Sequence, residues 1–207
     1  MLTYTTIPVG ILESNSYILN DNGALALIDC GVFSRAVREA IAAQGGDLRY
    51  ILLTHGHFDH IQGVGSAREA YPAAQVGIGA GDAGSLTGDS DIGPRHLRQV
   101  NPAAADLMLG DGDTLTLGGS TLRVIATPGH TRGGVCYLAE AEGLLFTGDT
   151  LFREEVGRDD LPGGDWDTLV GSIQRLYALP GDCAVLPGHG PASSLAHERR
   201  NNPYVKA

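Results

Sequence analysis

The chain is poor in the features that mark several common classes of protein. It has three cysteines in 207 residues, Cys30, Cys136 and Cys183, widely spaced and with no C-x-x-C pair. That excludes a disulfide framework and a cysteine-rich zinc site, and leaves buried structural thiols as the expectation. Basic residues are scarce: 14 Lys plus Arg stand against 24 Asp plus Glu, a net charge of −10. The one adjacent basic pair is Arg199-Arg200, so the positive footprint that nucleic acid or an anionic membrane surface needs is missing. No apolar stretch approaches the length of a membrane span. The start, Met1-Leu2-Thr3-Tyr4, lacks the charged and apolar regions of a signal peptide, so a soluble cytoplasmic protein is expected. No G-x-S-x-G elbow is present to supply a serine nucleophile.

What is present begins with Thr54-His55-Gly56-His57-Phe58-Asp59-His60, which holds three of the seven histidines. Imidazole and carboxylate are the usual ligands of zinc and related metals. The heptapeptide follows the apolar run Tyr50-Ile51-Leu52-Leu53, and in extended chain His55 and His57 point the same way. Asp59 and His60 come where the chain turns into a helix, so they can face a second point beside the first. A solvated polar loop is the bland alternative, and four metal-competent groups so close together argue against it.

The same grammar recurs three times. Leu122 to Ala126 ends in Thr127-Pro128-Gly129-His130; Leu144-Leu145-Phe146 ends in Thr147-Gly148-Asp149; Ala184-Val185-Leu186 ends in Pro187-Gly188-His189. Each is a buried-strand pattern that stops at a glycine turn before a metal-competent residue, and loops at strand ends are where a rigid sheet presents functional groups. Seven such groups are too many for one tetrahedral ion and suit two adjacent ions sharing a carboxylate.

The order and spacing of these motifs resemble the metallo-β-lactamase superfamily, over nearly the whole chain. The resemblance implies that His55, His57 and His130 hold a first metal, that Asp59, His60 and His189 hold a second, and that Asp149 bridges them. It also implies an α/β fold of the αββα sandwich type, with the metals at one edge where strand ends of both halves meet. Gly148-Asp149-Thr150-Leu151-Phe152, the stretch Gly157-Arg158-Asp159-Asp160, and Pro187-Gly188-His189-Gly190-Pro191 are similar to the glyoxalase II-like hydrolases, which split thioesters of the hydroxyacylglutathione kind.

Two metals about 3.5–4 Å apart lower the pKa of a shared water toward roughly 7, which supplies hydroxide at neutral pH. Asp59 would ligate the second ion and orient that hydroxide, and is the expected catalytic residue. A thiolate leaving group departs without a proton, whereas an amine needs a nearby acid that the sequence does not offer, so a small-molecule thioester is the expected substrate. Zinc is the expected metal, with iron and manganese compatible with the same ligands. The resemblance admits a mononuclear-iron persulfide dioxygenase using the equivalents of His55, His130 and Asp149. A nuclease is disfavoured by the acidic balance, and a non-catalytic binding module by the full ligand set. Only 18 residues follow His189, whereas full-length glyoxalase II enzymes carry a C-terminal helical domain that grips glutathione, so a high KM is expected for the glutathione thioester.

Other residues carry two readings. By the resemblance Asp29 partners the metal loop; as a plain residue it ends a strand in a turn. Arg158 and Asp160 form a loop-ordering ion pair or contact substrate. Arg132 is a surface residue or meets a substrate carboxylate. His96 and His197 read as surface residues, and Trp166 and Phe152 as core or pocket wall.

At 43% apolar, the chain can build one domain over 1–207. The pattern predicts strands at 16–20 and 24–28 around Asn20-Asp21-Asn22-Gly23, a helix from Ser34 to Gln44, strand 49–53, helix 63–71 and strand 75–79. Residues 80–112 read as short helical pieces and loops. Strands at 114–117, 121–126, 135–139 and 143–147 form a meander. A polar loop over 153–165, helix 167–178, strand 183–186 and a helix near 193–201 complete the expectation.

Overall fold

Strands made of continuous apolar runs cannot leave either face in water, so they need cover on both sides. The computed structural model, which describes residues 1–88 and 103–207, shows how that cover is supplied. The first sheet runs β1 (Thr3–Val9), β2 (Ser14–Asp21), β3 (Ala24–Ile28), β4 (Asp47–Leu52), β5 (Gln75–Gly79) and β6 (Leu107–Leu109), neighbours in that order. Pairing is antiparallel from β1 to β3 and parallel from β3 to β6. The second sheet is built from β7 (Thr114–Leu117), β8 (Ser120–Ala126), β9 (Val135–Ala139) and β10 (Leu144–Gly148) as the expected meander. After β10 the chain forms a separate two-stranded hairpin, β11 (Leu151–Phe152) and β12 (Glu155–Val156). The chain then returns as β13 (Ala184–Pro187), parallel to β10, and edge strand β14 (Ser193–Ser194).

Helices provide the outer layers. On the first sheet lie α1 (Arg35–Ala43), the short α2 (Phe58–Ile61) and α3 (Val64–Ala70); on the second lie α4 (Trp166–Tyr177) and α5 (Leu195–Asn201). Strand alternation divides the side chains between the layers. In β3, Leu25 and Leu27 join Val37 and Ile41 of α1 and Val64 of α3. Ala24, Ala26 and Ile28 turn the other way and meet Leu117, Phe146 and Leu186 of the second sheet. On its outer face the second sheet presents Leu145 and Val185 to Leu169, Ile173 and Leu176 of α4 and to Leu195 of α5. The order is helix, sheet, sheet, helix: an αββα sandwich.

The central core turns on Phe146, which is fully buried and sits edge-on to Tyr17 with ring centroids 5.2 Å apart. Phe146→Ala is expected to cost about 3–5 kcal/mol, the usual range for a buried aromatic. A urea denaturation midpoint equal to that of the native chain would contradict this packing.

The predicted strands and helices are present with ends shifted by a residue or two, and Ser34 caps α1 through Val37 N as expected. Additional elements are β1, β6, α2, β14 and the β11–β12 hairpin, whose second strand lies inside the segment read as a polar loop. Of residues 80–112, Ala80–Thr87 forms a 3-10 helix, and 89–102, with His96, lie outside the described residues. Cys30, Cys136 and Cys183 are buried free thiols. Among the described residues no helix is long and apolar enough to cross a membrane.

Main-chain hydrogen bonds tie the two sheets together at one edge. Asn15 N donates to Gly188 O at 2.7 Å and Val135 N to Thr54 O at 2.8 Å. Two buried tyrosines reinforce the joint, Tyr17 donating to Pro187 O and Tyr137 to Leu53 O, both at 2.7 Å. All seven metal-competent residues singled out in the sequence lie along this seam.

Candidate metal centre

The strand-end loops bring the seven residues into two adjoining groups. His55, His57, His130 and Asp149 form one, and Asp59, His60 and His189 the other, with candidate ligand atoms within 4.8 Å of one another in each. His55 and His57 lie on the extended segment after β4, and His57 is the N-cap of α2, which places Asp59 and His60 in its single turn. His130 follows β8, Asp149 follows β10 and His189 follows β13.

Asp149 stands between the groups. Its Oδ1 is 3.4 Å from His60 Nε2, and its Oδ2 is 3.6 Å from both His130 Nε2 and His189 Nε2 and 4.0 Å from His55 Nε2. His60 Nε2 and His189 Nε2 are 3.2 Å apart, and Asp59 Oδ2 is 3.2 Å from His189 Nε2 and 3.5 Å from His60 Nε2.

Surrounding groups set which ring nitrogen points inward. His60 Nδ1 donates to Asp29 Oδ2 at 2.9 Å, His130 Nδ1 to Arg158 O at 2.7 Å and His189 Nδ1 to Leu12 O at 3.0 Å. Thr54 Oγ1 donates to Asp29 Oδ2 at 2.8 Å and can therefore accept from His55 Nδ1 at 3.0 Å. All four rings are thus held with Nδ1 engaged outward and Nε2 free to face the centre, the arrangement that orients metal-ligating histidines. His57 is the exception, for its Nδ1 faces inward, 2.8 Å from His130 Nε2.

Electrostatics agree with a cation at this place. Burial, then the charges of His60 and His57, push His55 well below the usual histidine range, so it stays neutral. Burial, then the charges of His130 and His60, lower His57 to about 3. Burial alone would lower His60 too, but Asp149 and Asp29 raise it to about 10. Burial works against ionising Asp59, yet its bond to His189 and the charge of His60 hold it at about 2. The carboxylates of Asp149, Asp29 and Asp59 thus favour positive charge at His60, charge that a metal ion at Nε2 can supply instead of a proton. Buried His55 Nε2 and Asp149 Oδ1 have no hydrogen-bond partner, which is costly unless a ligand satisfies them. A Cβ on Gly188 would lie 2.1 Å from Asp149 Oδ1, so only glycine leaves that carboxylate its place. The donor set, its orientation and its unpaired inward atoms fit divalent metal.

The family model described as the metallo-beta-lactamase superfamily matches residues 9–189. The chain belongs to this superfamily. Among its relatives is hydroxyacylglutathione hydrolase GloC of Haemophilus influenzae, 32% identical over 210 residues, 97% of each protein. The B3 metallo-β-lactamase BLEG-1 superposes with a TM-score of 0.87 at 33% identity, covering 99% of this chain and all of the other. TTHA1623, solved in a di-iron-bound form, superposes at 0.83 with 32% identity, over 97% of this chain and all of the other. ETHE1 of Myxococcus xanthus superposes at 0.79 with 29% identity, over 98% and 84%.

Beside the metallo-β-lactamase-type centre lies an open cleft of about 360 Å³, lined by His130, Asp149 and His189, by Phe152 and Val156 of the β11–β12 hairpin, and by Arg153 and Arg158. Phe152 is a wall of this cleft, its ring centroid 6.4 Å from that of His189. Trp166 is in neither the core nor this wall; it is 39% exposed at the start of α4. Arg158 pairs with Asp160 at 2.7 and 2.8 Å, the loop-ordering arrangement, while its carbonyl holds His130. Arg132 is exposed and lines a separate cleft with Gly163, Gly164 and Asp165 that includes none of the seven residues. His197 is partly buried and 2.8 Å from Glu154. Asp29 is a partner of the metal loop through Thr54 and His60, at a left-handed φ of 55°.

Sequence reasoning passed over Asn15, which donates to Pro187 O and Gly190 O, and Asp82, which accepts from Gly56 N. Asp82 had a signal: the apolar run Val76-Gly77-Ile78 also ends in glycines before an acidic residue, the grammar of Gly148-Asp149.

Proposed function

We propose that this chain is a dinuclear metallohydrolase that cleaves a small hydroxyacyl thioester of the hydroxyacylglutathione kind. The observation that carries the reading is the placement of Asp149, whose two carboxylate oxygens reach histidines of both groups. The proposed ligands are His55, His57 and His130 for one ion and Asp59, His60 and His189 for the other, shared by Asp149, within one domain over 1–207. Two divalent ions, zinc being the proposed pair, would supply a water acidified toward neutrality and a Lewis acid for the substrate carbonyl.

The chain's own groups do the rest. Asp59 is held ionised and accepts a hydrogen bond, so it can orient the attacking water. His189, the most exposed of the seven, faces the cleft from which substrate enters. Phe152, Val156 and Pro191 give that cleft an apolar wall for an acyl group. A thiolate departs from this site without a proton, which suits a cleft wall whose described carboxyl groups are Glu155 and the metal-competent Asp149. The kinship to GloC supports the thioester class, and the di-iron neighbour supports two ions. A cytoplasmic location fits such a substrate.

Elemental analysis of carefully metallated protein is expected to give close to two ions per chain, and the protein to hydrolyse S-D-lactoylglutathione. A ceiling of one ion, with oxygen uptake on glutathione persulfide, would instead support the second reading, a mononuclear-iron persulfide dioxygenase. His55, His130 and Asp149, the residues such an enzyme would use, all fall in the first group.

A further inference from the structure

Asp82 lies in neither metal-competent group, yet its buried carboxylate joins the two loops that carry one of them. It sits on the 3-10 helix Ala80–Thr87, directly after β5, and is 3% exposed. Its Oδ2 accepts from Gly56 N at 2.8 Å and from Thr131 Oγ1 at 2.6 Å, and its Oδ1 accepts from Gly133 N at 2.7 Å. Gly56 is the residue between His55 and His57, and Thr131 follows His130. All three of these carboxylate bonds end on the loops of the first group, and none reaches Asp59, His60 or His189.

The packing leaves these loops no other seat. A Cβ on Gly133 would lie 2.3 Å from Asp82 N, and one on Gly56 would lie 2.4 Å from Ser85 Oγ and 3.1 Å from Asp82 Cβ. Both loops press against the same turn of 3-10 helix, and the carboxylate fixes their separation. The first group needs such a brace because its histidines come from different sheets, His55 and His57 after β4 and His130 after β8. Asp29 holds His60 of the other group directly, through Nδ1, and reaches His55 of the first group only by way of Thr54.

We infer that Asp82 is a positioning residue of the first metal group, setting the distance of His55 and His57 from His130 without touching metal or substrate. This rests on the metal centre proposed above. A plain structural anchor would loosen the whole seam on removal; a brace of one group weakens that group alone.

Asp82→Asn keeps the shape but turns an amide NH2 toward a donor that needs an acceptor, so at least one of the three bonds is lost. The test is calorimetric titration of the metal-free full chain with zinc, in two backgrounds. In His189→Ala, which leaves the first group intact, Asp82→Asn is expected to weaken zinc binding about 10–100-fold, the usual effect of losing a partner that orients ligands. In His130→Ala, which leaves Asp59, His60 and His189, it is expected to change nothing. Equal weakening in both backgrounds, or in neither, overturns the inference. Should Asp82→Asn fail to fold, Thr131→Val removes one of the three bonds and is expected to show the same selectivity at smaller size; unchanged zinc binding in the His189→Ala background overturns it equally. If the native chain takes up no zinc, cobalt or iron, the metal centre itself falls, a result separate from any difference between variants.

Discussion

Asp59→Ala is expected to cut thioester hydrolysis by more than about 100-fold, beyond what loss of an outer partner of a metal ligand costs. Unfolding free energy is expected to change by less than about 1 kcal/mol, because the residue removed is not part of a core. Asp59 stands in the single turn of α2, and its side chain meets His60 and His189 rather than any apolar cluster. Its carboxylate stays ionised through the neutral range, since the His189 bond and the His60 charge outweigh burial. Without it the second group loses its one unshared carboxylate, and the attacking water loses the acceptor that orients it. Steady-state kinetics beside urea denaturation would check this. Hydrolysis at the native rate would show that Asp59 has no part in the reaction.

Gly188→Ala is expected to damage the centre and the fold together. An added Cβ would fall 2.1 Å from Asp149 Oδ1, 2.8 Å from His60 Cε1 and 3.0 Å from Gly148 C. The main chain cannot retreat without breaking bonds on both sides: Gly188 N donates to Gly148 O and Gly188 O accepts from Asn15 N, each at 2.7 Å. Overpacking of this kind costs about 1–3 kcal/mol. The displaced carboxylate is the one shared by both groups, so metal affinity is expected to fall by at least about tenfold, as when ligand orientation is lost. Normal stability and normal zinc uptake in the variant would mean that the seam around Asp149 is looser than its contacts indicate.

Much of this architecture was legible because its signals are local. The period of two in Gln75–Gly79 and the apolar run of Val135–Ala139 place β5 and β9 where the pattern puts them. Ser34 and the spacing of Val37 and Ile41 specify α1. The candidate ligands were legible for a related reason: each follows a buried strand and a turn, and a strand that stops at a sheet edge has one place to present its next residue. Edge strand β1 was not, because most of its residues are exposed and Thr-rich, so it shows no apolar face. The β11–β12 hairpin was not legible either, because each strand is two residues long and β12 lies in polar chain; it is what chose the cleft wall over the core for Phe152.

The sequence by itself determined which side chains can ligate metal and which strands are buried, since both follow from residue type and spacing within a few positions. The resemblance supplied their division into two groups, and only the tertiary structure decided which ring nitrogens face inward and what holds them there. Asp82 is 49 residues from Thr131, Asn15 is 172 from Pro187, and His189 is 177 from Leu12. Such contacts exist only once two sheets have closed on a common core, because hydrophobic burial brings the layers together without direction, and directed bonds then choose the register along their seam.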